Sequence, residues 1–164
     1  MGGRQAEAGV RIHRMTTRTL LLALHIASVG GWLGANFMQL VLSPRFARGS
    51  AESAAAWTRQ TIWLGERYYS VAGALSGISG VLLVLDGDWS WSSGFIWVGV
   101  AVIVIGGAMG GAVFGPLSKR RLAALESGDT ATAAQQLKRI IPFGILDTVL
   151  ILLAVLAMVH KWMT

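Results

Sequence analysis

The chain has 164 residues, of which 54% are hydrophobic and 13% charged, with a formal net charge of +6. An ordinary soluble domain carries about 25% charged residues, so this one cannot cover a water-facing surface and calls for surrounding lipid. There is no cysteine, which removes disulfides, thiolate catalysis and Cys-ligated metal clusters.

In chain order, residues 1–18 form a polar, basic leader with Arg4, Arg11, Arg14 and Arg18, and residues 19–164 form the membrane domain. His13 in the leader reads as a solvated residue, and Met15 is an alternative start that would remove Arg4, Arg11 and Arg14. A bilayer crossing needs roughly 20 predominantly apolar residues. The first span runs from about Thr19 to Leu42, too long for the 7–15-residue core of a cleaved signal, so it is expected to be retained. The second runs from about Tyr68 to Leu85, the third from Phe95 to Leu117 and the fourth from Ile141 to His160. In lipid such runs must be helical, because only a helix satisfies its own backbone polar groups. The predicted fold is all-α, an antiparallel four-helix transmembrane bundle. Pro44, Pro116 and Pro142 fall at span boundaries, and Trp63, Tyr68, Tyr69, Trp89, Trp91, Trp97 and Trp162 suit interfacial belts.

The links are unequal. The second-to-third link, Asp86 to Gly94, is short and carries no Lys or Arg. The first-to-second link contains Arg45, Arg48, Arg59 and Arg67, with an Ala/Trp-rich stretch from Ala54 to Leu64 expected as a surface helix. The third-to-fourth link holds Lys119, Arg120, Arg121, Lys138 and Arg139, and its middle, Glu126-Ser127-Gly128-Asp129, reads as a turn between two short helical pieces. The positive-inside rule therefore puts both long links in the cytoplasm and both termini outside. Basic residues beside apolar runs belong to anionic lipid headgroups, and nucleic acid is not an expected partner.

Spaced glycines, Gly30 with Gly34, Gly73 with Gly77, Gly106 with Gly110 and Gly107 with Gly111, allow close helix packing. The alternative is that they clear room for a flat cofactor or substrate.

Polar groups inside a bilayer are expensive and face the bundle interior. His25, Ser28, Trp32, Asn36, Gln39 and Ser43 fall on one stripe of span one. Asp147 and Asn36 each lie about six residues from the cytoplasmic end of their span, hence at one depth in an antiparallel bundle. A polar cluster of Asn36, Asp147 and Ser70 or Ser76 is expected, either locking the helices or serving as a proton or ligand site. His25 has the chemistry of an axial haem ligand, though a histidine hydrogen-bonded within the bundle is the plain alternative. His160 lies on the same membrane side but points about 140° from Asp147, whereas Met158 lies within about 40° of it. No zinc-ligand spacing, phosphate loop or nucleophile elbow occurs.

The segment His25-Ile26-Ala27-Ser28-Val29-Gly30-Gly31-Trp32-Leu33-Gly34 resembles the first helix of CopD-like copper-resistance membrane proteins, and its His-to-Trp spacing resembles that of HemJ-type protoporphyrinogen oxidases. Overall the chain is similar to a family of small bacterial four-span membrane proteins of unassigned function, which shares the Gly128-Asp129 turn and the Met158-Val159-His160-Lys161 ending. The resemblance implies a bacterial inner-membrane bundle in which His25, beside Trp32 and with Met158 or His160 as second ligand, holds haem b or a porphyrin for electron transfer or porphyrin handling. The other expectations are an accessory subunit or small-ligand binder, within a homo-oligomer or larger membrane complex, and a proton-coupled transporter using Asp147.

Overall fold

The computed structural model describes the backbone of residues 2–87 and 89–161 and the side chains of 17–87 and 89–161. The leader residues Arg4, Arg11, His13, Arg14 and Met15, and the belt residue Trp162, lie outside the residues whose side chains are described. Among the described residues the chain is an all-helical bundle with four helices long and apolar enough to cross a membrane.

The first rod is α1 (Gly2–Ala47). The second joins α2 (Ala51–Trp63) to α3 (Ser70–Asp86) through a wide π-helical turn at Leu64–Tyr69. The third joins α4 (Gly94–Met109) to α5 (Gly115–Glu126) through another at Gly110–Phe114. The fourth is α6 (Thr130–His160). Two tight turns close one end, here called the basic end. Ser50 caps α2 by accepting from the Ser53 N–H at 3.1 Å. Asp129 caps α6 by accepting from the Thr132 N–H at 2.9 Å, after Gly128 takes the left-handed φ of 79°. These are the side-chain acceptors that a helix start needs for its orphan N–H groups, and a glycine is the residue that reverses the chain at such a φ without strain.

Two expectations are corrected. The stretch from Ala54 to Leu64 does not lie separately on the surface, because α2 runs on through the π-helical turn into span two and buries Ala54, Ala55 and Thr58. Pro44 sits inside α1 and Pro142 inside α6, rather than at helix boundaries. The fourth apolar run begins near Pro142, but its helix starts with capped polar residues well before it. Four-residue spacing of small side chains on α2, and their burial, explain why it packs inward: α5 lies against both α2 and α6.

Around the bundle, α1 packs on α3 and α6, and α6 on α4, while α3 and α4 meet only sparsely. The core gathers Trp32, Ala72, Val102, Ile151 and Ala154. Long apolar side chains such as Ile26, Ile78, Val104 and Leu156 point outward, as an integral membrane bundle requires. At the other end, Trp97 donates to the Trp91 carbonyl at 2.8 Å and Lys161 stacks over the Trp89 ring at 4.8 Å.

Candidate functional site

The polar stripe of α1 is used along its whole length, each residue bonding to another rod. The His25 Nδ1–H donates to the Ser76 carbonyl at 3.0 Å and lies 3.1 Å from Ser79 Oγ. Ser76 donates to Ser28 Oγ at 3.1 Å. Gln39 donates to the Tyr69 hydroxyl at 2.6 Å, and Ser43 accepts from the Trp57 indole at 3.0 Å. Residues three, four and seven apart share a helix face, so a single stripe can serve several levels of the bundle.

Between these levels lies Asp147, only 5% exposed. Its Oδ2 accepts from Asn36 Nδ2 at 2.7 Å and from Trp32 Nε1 at 3.2 Å. The Tyr69 hydroxyl in turn donates to Asn36 Oδ1 at 2.8 Å. The donors thus run in one direction, Gln39 to Tyr69 to Asn36 to Asp147. Reversing the Asn36 amide would set two oxygens against each other, so the network fixes its orientation. Asp147 Oδ1 is buried and has no partner. A buried acceptor left unmade costs about 1–3 kcal/mol, so this oxygen is the site's unfinished bond.

Trp32 is held by space as well as by its hydrogen bond. A Cβ added at Gly73 would come within 3.3 Å of its ring, and one at Gly106 within 2.9 Å. These two glycines make room for a flat group, and that group is the chain's own indole. Gly107, Gly110 and Gly111 differ: a Cβ there would meet nothing within 4 Å.

Those three glycines line a cavity of about 780 Å³ that reaches from Asp147 and Trp32 toward Lys119 and Arg121 at the basic end. One wall is the polar stripe (Asn36, Gln39, Ser43), one the glycine face of α4, and one the apolar face of α6 at Leu137, Ile140 and Ile141. Both π-helical turns border it, where α3 and α4 part. Such turns gather at functional sites because the extra residue re-aims side chains. The size falls in the range of small-molecule pockets, roughly 300–1,000 Å³.

Of the sequence-predicted residues, Asn36 and Asp147 are brought together, with Trp32 as a second donor. Ser70 lines the cavity but is exposed, and Ser76 belongs to the His25 level. The contribution from span two is Tyr69, which the sequence placed in an interfacial belt. Its position beside Tyr68 near the tryptophans concealed it, and only the hydroxyl's need for a partner once buried points inward. Arg121, 4% exposed, was also missed.

His25 and Met158 line a second, smaller cavity of about 40 Å³, while His160 is exposed at the end of α6. Such a space holds about one water, not a macrocycle. The larger cavity is lined by no histidine or methionine. The space beside His25 therefore does not fit a haem held by that residue. Among the described residues no three His, Cys, Asp or Glu side chains are grouped to hold a metal ion. Compared with known proteins, the chain matches no family model, no curated protein and no solved structure.

Proposed function

We propose that the protein is a membrane-embedded binder of a small, elongated ligand, whose hydroxyl, amine or amide donor completes the unfinished bond at Asp147. The observation that carries this reading is the pairing of a buried, unpartnered carboxylate oxygen with a 780 Å³ cavity at the same site. A bundle whose polar residues served only to lock helices would satisfy that oxygen from within. In this reading the basic residues that collect at the turn end favour the cytoplasmic side of a bacterial inner membrane, by the positive-inside rule.

Protein purified in mild detergent, without delipidation, should release a bound small molecule near one per chain, as read by mass spectrometry of the extract. Asp147→Asn, and Gly107→Leu together with Gly110→Leu, should each lower that yield about tenfold, the loss expected for one hydrogen bond or a filled pocket. A wild type that carries nothing, or variants that carry as much, would reject the reading. Adding haem to the same protein tests the porphyrin alternative, where a stoichiometric Soret shift would reinstate it.

A second reading, proton-coupled transport, has one observation in its favour. Trp32 lines both cavities and so stands between Asp147 and His25.

A further inference from the structure

Arg121 is the most costly group that the ligand reading leaves unexplained. It follows Lys119 and Arg120 in α5, and both of those are exposed, whereas Arg121 is 4% exposed and lines the cavity. Its Nε is buried without a partner. Among the described residues no acid pairs with it; Glu66 pairs with Lys119 at 2.9 Å and Glu126 with Arg59 at 2.8 Å. A guanidinium taken out of water without a counter-charge is strongly destabilising. Among the described residues the fold supplies no such charge, which leaves the place open to one from outside.

The chemistry of that counter-charge follows from the group itself. A planar fork of N–H donors matches an oxyanion, phosphate above all, better than any point-charge partner. Depth agrees. A hydrocarbon crossing takes about 20 residues, so the third rod leaves it near residue 115, and Arg121 lies roughly 9 Å further at the 1.5 Å helical rise, among lipid headgroups. From Gly106, beside Asp147, to Arg121 the same rise gives roughly 22 Å. Between the two runs the glycine face opposite Ile140 and Ile141.

Resting on the ligand reading above, we propose that Arg121 is the headgroup site of this cavity and binds the phosphate-type oxyanion of an elongated amphiphile whose chain lies along the glycine wall toward Asp147. Free phosphate offers the same chemistry to Arg121 but would leave the wall and Asp147 empty.

The test compares lysophosphatidic acid with monoacylglycerol of the same acyl chain, titrated into the detergent-solubilised full chain and read by native mass spectrometry. Wild type should prefer the phosphorylated amphiphile about tenfold, as one charge-assisted contact to an anion gives. Arg121→Gln should bring that ratio to within about twofold while keeping monoacylglycerol affinity, and the exposed-site control Arg120→Gln should leave the ratio unchanged. Inorganic phosphate that stabilises wild type but not Arg121→Gln, with no amphiphile preference, would keep the oxyanion site and overturn its lipid source. A preference that survives Arg121→Gln would overturn the Arg121 assignment. If the Gly107→Leu, Gly110→Leu protein then binds neither amphiphile, the cavity reading stands alone; if it binds both as wild type does, that reading falls too. Should Arg121→Gln not fold, Arg121→Lys keeps charge without the fork, and a ratio that does not fall severalfold overturns the proposal.

Discussion

At the scale of residues, Asp147 shows a buried carboxyl group held by neutral donors. Its Oδ2 is held by an amide and an indole, at 2.7 and 3.2 Å, and the amide is itself oriented by Tyr69. Such chains polarise in one direction and strengthen each link. Pairwise hydrogen bonds inside membrane bundles average about 0.6 kcal/mol with a maximum near 1.7. An Asn36→Ala, Asp147→Ala double-mutant cycle should lie at the upper end of that range, read from unfolding in detergent, since Asn36 couples two partners. A coupling below about 0.3 kcal/mol would mean that the network does not act as a unit. The glycines give a sharper contrast. Gly106→Ala drives a methyl against the indole and should lose about 1–3 kcal/mol. Gly107→Ala meets open space and should be neutral or gain up to about 1 kcal/mol from helix propensity. Thermal melts of the two variants, differing by one position, check this directly. The sequence displays both residues as equivalent members of spaced pairs. Which of them receives a ring depends on the rotation of α4 relative to α1, a property of packing that spacing alone does not carry.

At the scale of elements, much of the architecture was legible, for a physical reason. A bilayer imposes a length and a backbone rule on every crossing, so the four runs, the short Asp86–Gly94 link and the Gly128 turn could be read directly. The stripe on α1 was legible as well, since the 3.6-residue period fixes which side chains share a face. What could not be read is that the helical pieces expected in the long links run on from the spans as continuous rods. Residues 51–67 and 117–126 are polar enough to be loops, yet they continue their rods because α2 and α5 bury Ala54, Ala55, Thr58 and Ala124. The π-helical turns at 64–69 and 110–114 left no signal, and with them went Tyr69. Arg121 hid among three consecutive basic residues that read as a solvated cluster. The α6 cap carries a pH prediction. The hydrogen bond from the Thr132 side chain, together with the Thr132 N–H, holds the Asp129 carboxyl below its ordinary 3.8. A depressed folded-state value means that the cap's contribution is present above pH 3.8 and is lost as pH falls through that lower value. Asp129→Asn keeps an acceptor at the cap but has no proton to gain, so the stability difference between wild type and variant should change only on the acid side. Far-ultraviolet dichroism melts from pH 7 down to pH 2.5 would show it, and a constant difference across that range would refute it.

For the whole molecule, the decisive feature is that the bundle is hollow on one side of Trp32 and nearly solid on the other. Toward the basic end lies the 780 Å³ cavity with its polar stripe, and toward the other end a space of about 40 Å³ beside His25, Ser76 and Met158. Trp32 borders both and lies two helical turns from His25 on the same face of α1. Its indole, wedged between Gly73 and Gly106, therefore acts as the partition. Removing it with Trp32→Ala should merge the two spaces into one path lined by Asp147, Asn36, Ser76 and His25, wide enough for a file of water. Reconstituted in liposomes carrying a pH gradient and an internal pH dye, that variant should dissipate the gradient at least about tenfold faster than wild type. A ring that seals by volume makes a second claim: Trp32→Phe loses the N–H to Asp147, worth about 1 kcal/mol, but keeps the plug, so it should be less stable and still tight. Equal leakage from both variants would mean that the hydrogen bond rather than the ring closes the path. No leakage from Trp32→Ala would show that the helices collapse around the gap, in which case the two cavities were never parts of one route and the second, transport reading loses its support.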